Sequence, residues 1–324
     1  MTRKILIDGT PGVDEAIAIS MALFHPDLEL LAVTSIGGKV PAGTATRNLH
    51  RVIEFLDPPK YLRIGVGSET GPSPDVRHLW ERPDFLEELD LPGIGRRALS
   101  PADRIICEAV RAAPHEITVV LCGPVTNLVR AFQRDPELPT LIRRVVIVGG
   151  TVTAPGDATP VASLNTFYDA IAARELFHAS ITRLMLPLDV TNRFLFSYAE
   201  DFEPVLQDES RIGRLLRWIL PTAFAFQHEK FGSAMIRFPA VLAMMYVLAP
   251  HRFITRQMCG DVEAGEGLCH GMTVFDRREP PQWSRNIDVM TGFVPDEGGD
   301  PSGISGLRRL FRESLEASLL AAAE

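Results

Sequence analysis

The sequence predicts an α/β protein: a single domain on a mostly parallel, open sheet flanked by helices, with a Rossmann-like core. Three observations carry this. Short apolar runs of strand length alternate with longer helical patterns over residues 4–189. The runs are continuously apolar, as strands covered on both faces must be. Several end in polar or glycine-rich turns from which a helix starts, which is the pattern of βαβ units.

The elements follow in order. KILIDG (4–9) reads as a buried strand and GVDEAIAISMALF (12–24) as a helix. LELLAVTSI (28–36) is a strand and TATRNLHRVIEFL (44–56) a helix, followed by YLRIGVG (61–67) and ADRIICEAVRAA (102–113). ITVVLCG (117–123) precedes a helix beginning near Pro124. RRVVIVGG (143–150) leads to a helix at DAIAARELF (169–177), and TRLMLPLD (182–189) to further helix. Residues 68–100, rich in Pro, Gly and charge, read as a long excursion at the mouth of the sheet. Residues 199–248 read as a helical insertion. Three β-like runs, FITRQMCGDVEA, MTVFD and RNIDVMTGF, come next, and LRRLFRESLEASLLAA (307–322) is an amphipathic helix.

The 324 residues are 46% hydrophobic and 23% charged, enough for a sizeable core and against disorder. A formal net charge of −8 argues against a nucleic-acid surface, while leaving open small anionic ligands bound in a local pocket. No stretch reaches membrane-span length, so no membrane partner is expected. The apolar run near the N-terminus is too short for a signal peptide. Four cysteines without CxxC spacing read as reduced thiols, and the expected compartment is cytoplasmic.

Ligands of open α/β sheets sit at the carboxyl ends of strands, where strand order switches. Polar turns fall there at Asp8-Gly9-Thr10, 34–39, Cys122-Gly123-Pro124, Gly149-Gly150-Thr151 and Asp189. In the first turn Thr10 or Gly12 would cap the helix, with Pro11 at a favoured early position. Asp14 and Glu15 then fall in the first turn, where the helix dipole alone explains acids. Helix-start decoration and a functional pair are equally compatible with that spacing.

ILIDGTPGVDEAIAISMALFHPDLELLAVTSIGG resembles the N-terminus of the nucleoside hydrolases, whose pattern there is DxDPGxDDA. The resemblance continues through CGPVTNL (122–128), VIVGGTVTAPGDATPVASLN (146–165), YDAIAARELF, LPLDVT and HGMTVFDRR (270–278), in family order. It implies the nucleoside hydrolase fold, calcium-dependent cleavage of ribonucleosides to base and ribose, and a homo-oligomer. The carried-over positions depart from the pattern. Asp8 and Asp14 are kept, Asp14 at a ribose contact. Thr10 replaces the ligand and catalytic base, and Glu15 replaces a bidentate calcium ligand. Cys122 falls on a backbone-carbonyl ligand, Lys39 and Asp157 on asparagines, and Ser163 on the ribose-binding glutamate, while Asn165 survives. Arg237 and Phe238 stand where the resemblance implies a histidine near the base and a calcium aspartate. His228, in AFAFQHEKFG, is a candidate acid to the leaving group, against an ordinary surface histidine; Phe224 and Phe226 stack on a base or pack the core. His78, Trp80 and LPGIG (91–95) offer only a trace of the family's HGxxG-like motif.

The expectation is therefore a diverged nucleoside-hydrolase-like protein with no metal and no cofactor, calcium included. Its ligand is a small nucleoside-like molecule. Asp14, Glu15 and His228 are the catalytic candidates; Asp14, Lys39, Asp157, Asn165 and Arg237 are the substrate-binding ones. Thr10, Glu15, Cys122 and Phe238 are the altered metal positions. Glu15 is expected to pair with Lys39 or Arg237, whose charges would also suit a nucleotide or a ribosyl carboxylate. The alternative is an inactive family member that binds such a ligand or serves as a scaffold. A dinucleotide enzyme is disfavoured, because Gly9-Thr10-Pro11-Gly12 does not supply GxGxxG.

Overall fold

The computed structural model describes residues 2–67, 86, 99–296 and 299–323. The strands are β1 (Arg3–Gly9), β2 (Leu28–Ser35), β3 (Arg63–Val66), β4 (Ser100–Pro101), β5 (Thr118–Leu121), β6 (Arg144–Val148), β7 (Arg183–Leu186), β8 (Phe196–Ser197), β9 (Met235–Ile236), β10 (Phe253–Met258), β11 (Gly260–Val262), β12 (Thr273–Phe275) and β13 (Ile287–Phe293). The helices are α1 (Val13–Phe24), α2 (Ala42–Leu56), α3 (Ala102–Ala112), α4 (Thr126–Arg134), α5 (Leu138–Leu141), α6 (Leu164–Tyr168), α7 (Ala170–His178), α8 (Leu188–Thr191), α9 (Arg211–Phe231), α10 (Pro239–Leu248) and α11 (Ile304–Ala323).

Nine strands form one sheet in the order β10-β13-β7-β6-β5-β1-β2-β3-β4. All neighbours are parallel except β10 and β13. The residues explain the double cover. Ile5 and Ile7 join the core on one face, beneath α1, α9, α10 and α11, while Leu6 joins the core on the other, beneath α3, α4 and α7. Alternate side chains of a strand point to opposite faces, so a run such as KILI must be apolar throughout to serve both.

The chain lays β2, β3 and β4 outward on one side of β1, then returns to place β5, β6 and β7 on the other. Strand order therefore reverses between β1 and β5, where Asp8 lies level with Leu121. The crevice beyond the carboxyl ends of those two strands is the place a ligand is expected to bind.

Several expectations are adjusted. α1 starts at Val13 with Gly12 as its cap, so Pro11 lies outside the helix. The helix expected near Pro124 starts at Thr126. The 199–248 segment is less uniform than a helical insertion: a π-helical turn (Tyr198–Phe202) and a 3-10 turn (Glu203–Val205) precede α9, and β9 pairs back on β8 before α10. The 68–100 excursion lies outside the described residues up to its last two positions, Leu86 excepted. His78, Trp80 and 91–95 lie outside them entirely.

Candidate active site

A cavity of ≈ 170 Å³ opens at this switch point. The β1–α1 turn supplies Thr10, Gly12, Val13, Asp14 and Glu15, and the loop after β2 supplies Lys39 and Val40. Ala223, Phe226 and Gln227 come from α9, and Arg237, Phe238 and Pro239 from the start of α10. Asp157 and Leu164 close the wall. A smaller adjoining recess of ≈ 50 Å³ shares Asp14, Lys39 and Asp157 and adds Cys122, Ser163, Asn165 and Thr191.

Glycine makes the close approach possible. A Cβ on Gly9 would sit 3.1 Å from Cβ of Cys122, so a side chain there would push the β1 turn and the end of β5 apart by a few tenths of an ångström. The pair after β6 has positive φ, 129° at Gly149 and 76° at Gly150, which only glycine adopts at little cost.

The carboxylates are held by backbone. The Asp14 oxygens accept the amides of Ala240 at 2.9 Å and Val241 at 3.2 Å, capping α10 from another part of the chain. Burial, then the adjacent Glu15, pushes the Asp14 pKa up, while the α10 amides and the Lys39 charge oppose the rise. Glu15 is buried, and its Oε2 accepts the Gly12 amide at 3.3 Å. Burial raises its pKa as well, opposed first by Lys39. The expected ion pair is not formed: neither Lys39 nor Arg237 comes within 4.0 Å of a carboxylate oxygen among the described residues. Lys39 acts on the acids at longer range from an exposed position at the cavity mouth. Arg237 is half-buried and donates to Oδ1 of Asn192 instead.

The altered positions are built into the scaffold. The Thr10 hydroxyl donates to the Ile36 carbonyl at 3.1 Å. Phe238 is buried, with its ring centroid 5.3 Å from Phe196, 5.8 Å from Phe202 and 6.3 Å from Phe224. The Cys122 carbonyl accepts from Asn165 Nδ2 at 3.1 Å, and the Val148 carbonyl accepts from the same nitrogen at 2.8 Å. Asn165 therefore spends its donor joining the ends of β5 and β6, and only Oδ1 remains for a sugar hydroxyl. Asp157, which lines the cavity, accepts the Leu164 amide at 2.8 Å on one oxygen, and its other oxygen has no partner among the described residues. Ser163 accepts the Gly150 amide at 2.7 Å.

His228 does not join this group. It is exposed on α9, whereas Phe226 and Gln227 line the cavity. One helical residue turns a side chain by about 100°, enough to move His228 off the wall. Phe224 is core; Phe226 faces the cavity.

Sequence reasoning missed other residues. Asn127, the last polar residue of the GPVTN run, donates to Asp8 Oδ1 at 2.8 Å and to the Ser35 carbonyl at 2.9 Å, tying three strand ends together. Thr191 lines the recess with a buried hydroxyl that has no partner among the described residues. Asp189, which the sequence does mark as a polar strand end, accepts the amides of Val152, Thr153 and Ala154 and the Thr153 hydroxyl, fixing the loop after β6.

The family model for inosine-uridine preferring nucleoside hydrolases matches residues 5–297. The chain is 32% identical over 284 residues to the non-specific ribonucleoside hydrolase RihC of Klebsiella pneumoniae strain 342, covering 85% of this chain and 89% of that protein. It is 30% identical over 279 residues to RihC of Escherichia coli O7:K1, with the same coverage. Among solved structures, the plant nucleoside hydrolase PpNRh1 superposes with a TM-score of 0.83 at 25% identity, over 97% of this chain and 99% of that one. A purine-preferring ribonucleoside hydrolase from Gardnerella vaginalis gives 0.80 at 22% identity, over 97% and 99%, a likeness of fold.

Proposed function

This chain belongs to the inosine-uridine preferring nucleoside hydrolase family, and we propose that it cleaves the N-glycosidic bond of a ribosyl compound without calcium. The observation that carries the reading is the adjacent pair Asp14, half-buried, and Glu15, buried, both with raised pKa, in the wall of the cavity.

Burial, and for Asp14 the neighbouring Glu15 charge, holds both acids above the ordinary carboxylate range, so the pair keeps a proton to higher pH than free carboxylates would. The ionised partner takes a proton from water as its oxygen attacks the anomeric carbon, and the pair returns a proton to the departing base nitrogen. The carboxylate charge also favours the oxocarbenium character that the sugar gains as the bond breaks. Asp14 faces the sugar hydroxyls, with Oδ1 of Asn165 and the free oxygen of Asp157 as further acceptors. Phe226 and the neighbouring Val40 and Ile236 offer an apolar wall to the base.

Calcium takes about six to eight oxygen ligands, mostly carboxylates. The donors here do not fit it. A hydroxyl already bonded to Ile36 stands at Thr10, and an aromatic ring packed into a cluster stands at Phe238. Each Asp14 oxygen already accepts one amide and keeps lone pairs for a sugar hydroxyl, and the Lys39 charge already acts on both acids.

The test is release of free sugar from a panel of nucleosides, compared with Asp14→Asn and Glu15→Gln. The proposal expects release that falls by about 100-fold or more in either variant. Release unchanged in both would overturn it. A second reading, a non-catalytic ligand-binding member, is favoured by the amides that hold both Asp14 oxygens and by Thr10 at the base position. It expects no release from any compound, together with ligand-induced thermal stabilisation.

A further inference from the structure

We propose that Lys39 and Arg237 form an oxyanion subsite at the mouth of the cavity, built for a phosphoryl group. The inference rests on the reading that a ribosyl compound occupies the same cavity. Both cations line it, Lys39 from the loop after β2 and Arg237 from the residue pair before α10. Neither is neutralised by an ion pair among the described residues. Arg144, Arg193 and Arg214 have no ion pair among the described residues either, so what sets Lys39 and Arg237 apart is that both line the cavity. Arg237 is held by a neutral partner, Asn192, which orients one guanidinium nitrogen and leaves the rest of its donors and its full charge available.

The acids of the cavity do not cancel this charge by contact. Asp14 is turned to the amides of α10, Glu15 to Gly12, and Asp157 to Leu164. A planar guanidinium and an ammonium lining one cavity offer a phosphoryl group a bidentate donor and a point charge. The phosphoryl group has two sources. It belongs to the substrate itself, as in a nucleoside monophosphate, or it is free phosphate held beside the sugar.

The experiment is calorimetric titration of the full-length protein with inorganic phosphate, with nucleosides, and with the matching 5′-monophosphates. It is repeated on Lys39→Met and Arg237→Met, with Lys39→Arg and Arg237→Lys as folding-competent controls. If the substrate carries the group, the monophosphate binds at least about tenfold tighter than its nucleoside, and either methionine variant abolishes the difference. If the group is free phosphate, inorganic phosphate binds and tightens nucleoside binding by a similar factor, again only with both cations present. Equal binding of nucleoside and monophosphate, with no response to phosphate, overturns the subsite. Monophosphate binding that depends on both cations, without sugar release, upholds the subsite and removes the cleavage reading. Sugar release from nucleosides that neither phosphate nor the cations affect does the reverse.

Discussion

Asp8 offers a quantitative test of how these strand ends are built. Its carboxyl is fully buried. Oδ1 accepts the Thr34 hydroxyl at 2.5 Å and Asn127 Nδ2 at 2.8 Å, while Oδ2 has no partner among the described residues. Burial pushes the pKa from 3.8 to about 7, and the hydrogen bonds from Thr34 and Asn127 restrain the rise. The folded state therefore keeps a proton that the unfolded chain has already lost between about pH 4 and pH 7. The sign follows: stability is greatest below the unfolded pKa and falls as pH rises through the folded one. At about 1.4 kcal/mol per unit, some three units amount to roughly 4 kcal/mol in full, of which roughly 3 kcal/mol is lost between pH 5 and pH 8. Asp8→Asn removes the titration. Its carbonyl keeps the bonds from Thr34 and Asn127, and its NH₂ takes the unpartnered position at a cost of about 1–3 kcal/mol at any pH. Urea unfolding of both proteins at the two pH values measures the difference. The expected result is that the variant gains on the wild type by roughly 3 kcal/mol from pH 5 to pH 8. A variant that keeps the wild-type pH slope would refute the reasoning.

Three further outcomes follow from named contacts. Asn165→Ala removes the bonds that join Cys122 and Val148, and thermal unfolding should show a loss of about 2–3 kcal/mol. Phe238→Ala empties an aromatic cluster and should cost about 3–5 kcal/mol in chemical denaturation, far more than a residue at a vestigial ligand position would. His228→Ala, exposed on α9, should leave sugar release within about twofold of wild type; a larger fall in kcat would place the histidine back in the reaction.

The main strands were legible because double burial demands unbroken apolar runs, and Ile5, Leu6 and Ile7 show that demand residue by residue. The two-residue strands β4, β8 and β9 were not, since so short a pairing leaves no period to read. At the site, local patterns identified the β1–α1 turn and the GPVTN run, and the family resemblance singled out Asp14, Lys39, Asp157, Asn165 and Arg237, each of which lines the cavity or its adjoining recess. Their partners were not legible. Asp14 caps a helix 226 residues away in sequence, a contact no local pattern encodes. Glu15 satisfies the backbone of its own helix start before any distant cation. His228 misled because its neighbours mark a helix over the site without fixing which residue turns inward, and Gln227 does.

The central claim is cleavage without calcium. The most direct measurement is the rate of sugar release from an active compound as calcium is titrated into chelator-treated protein. Full activity is expected in chelator, with no rise as calcium is added. Activity that vanishes in chelator and returns with about one calcium per chain would contradict it.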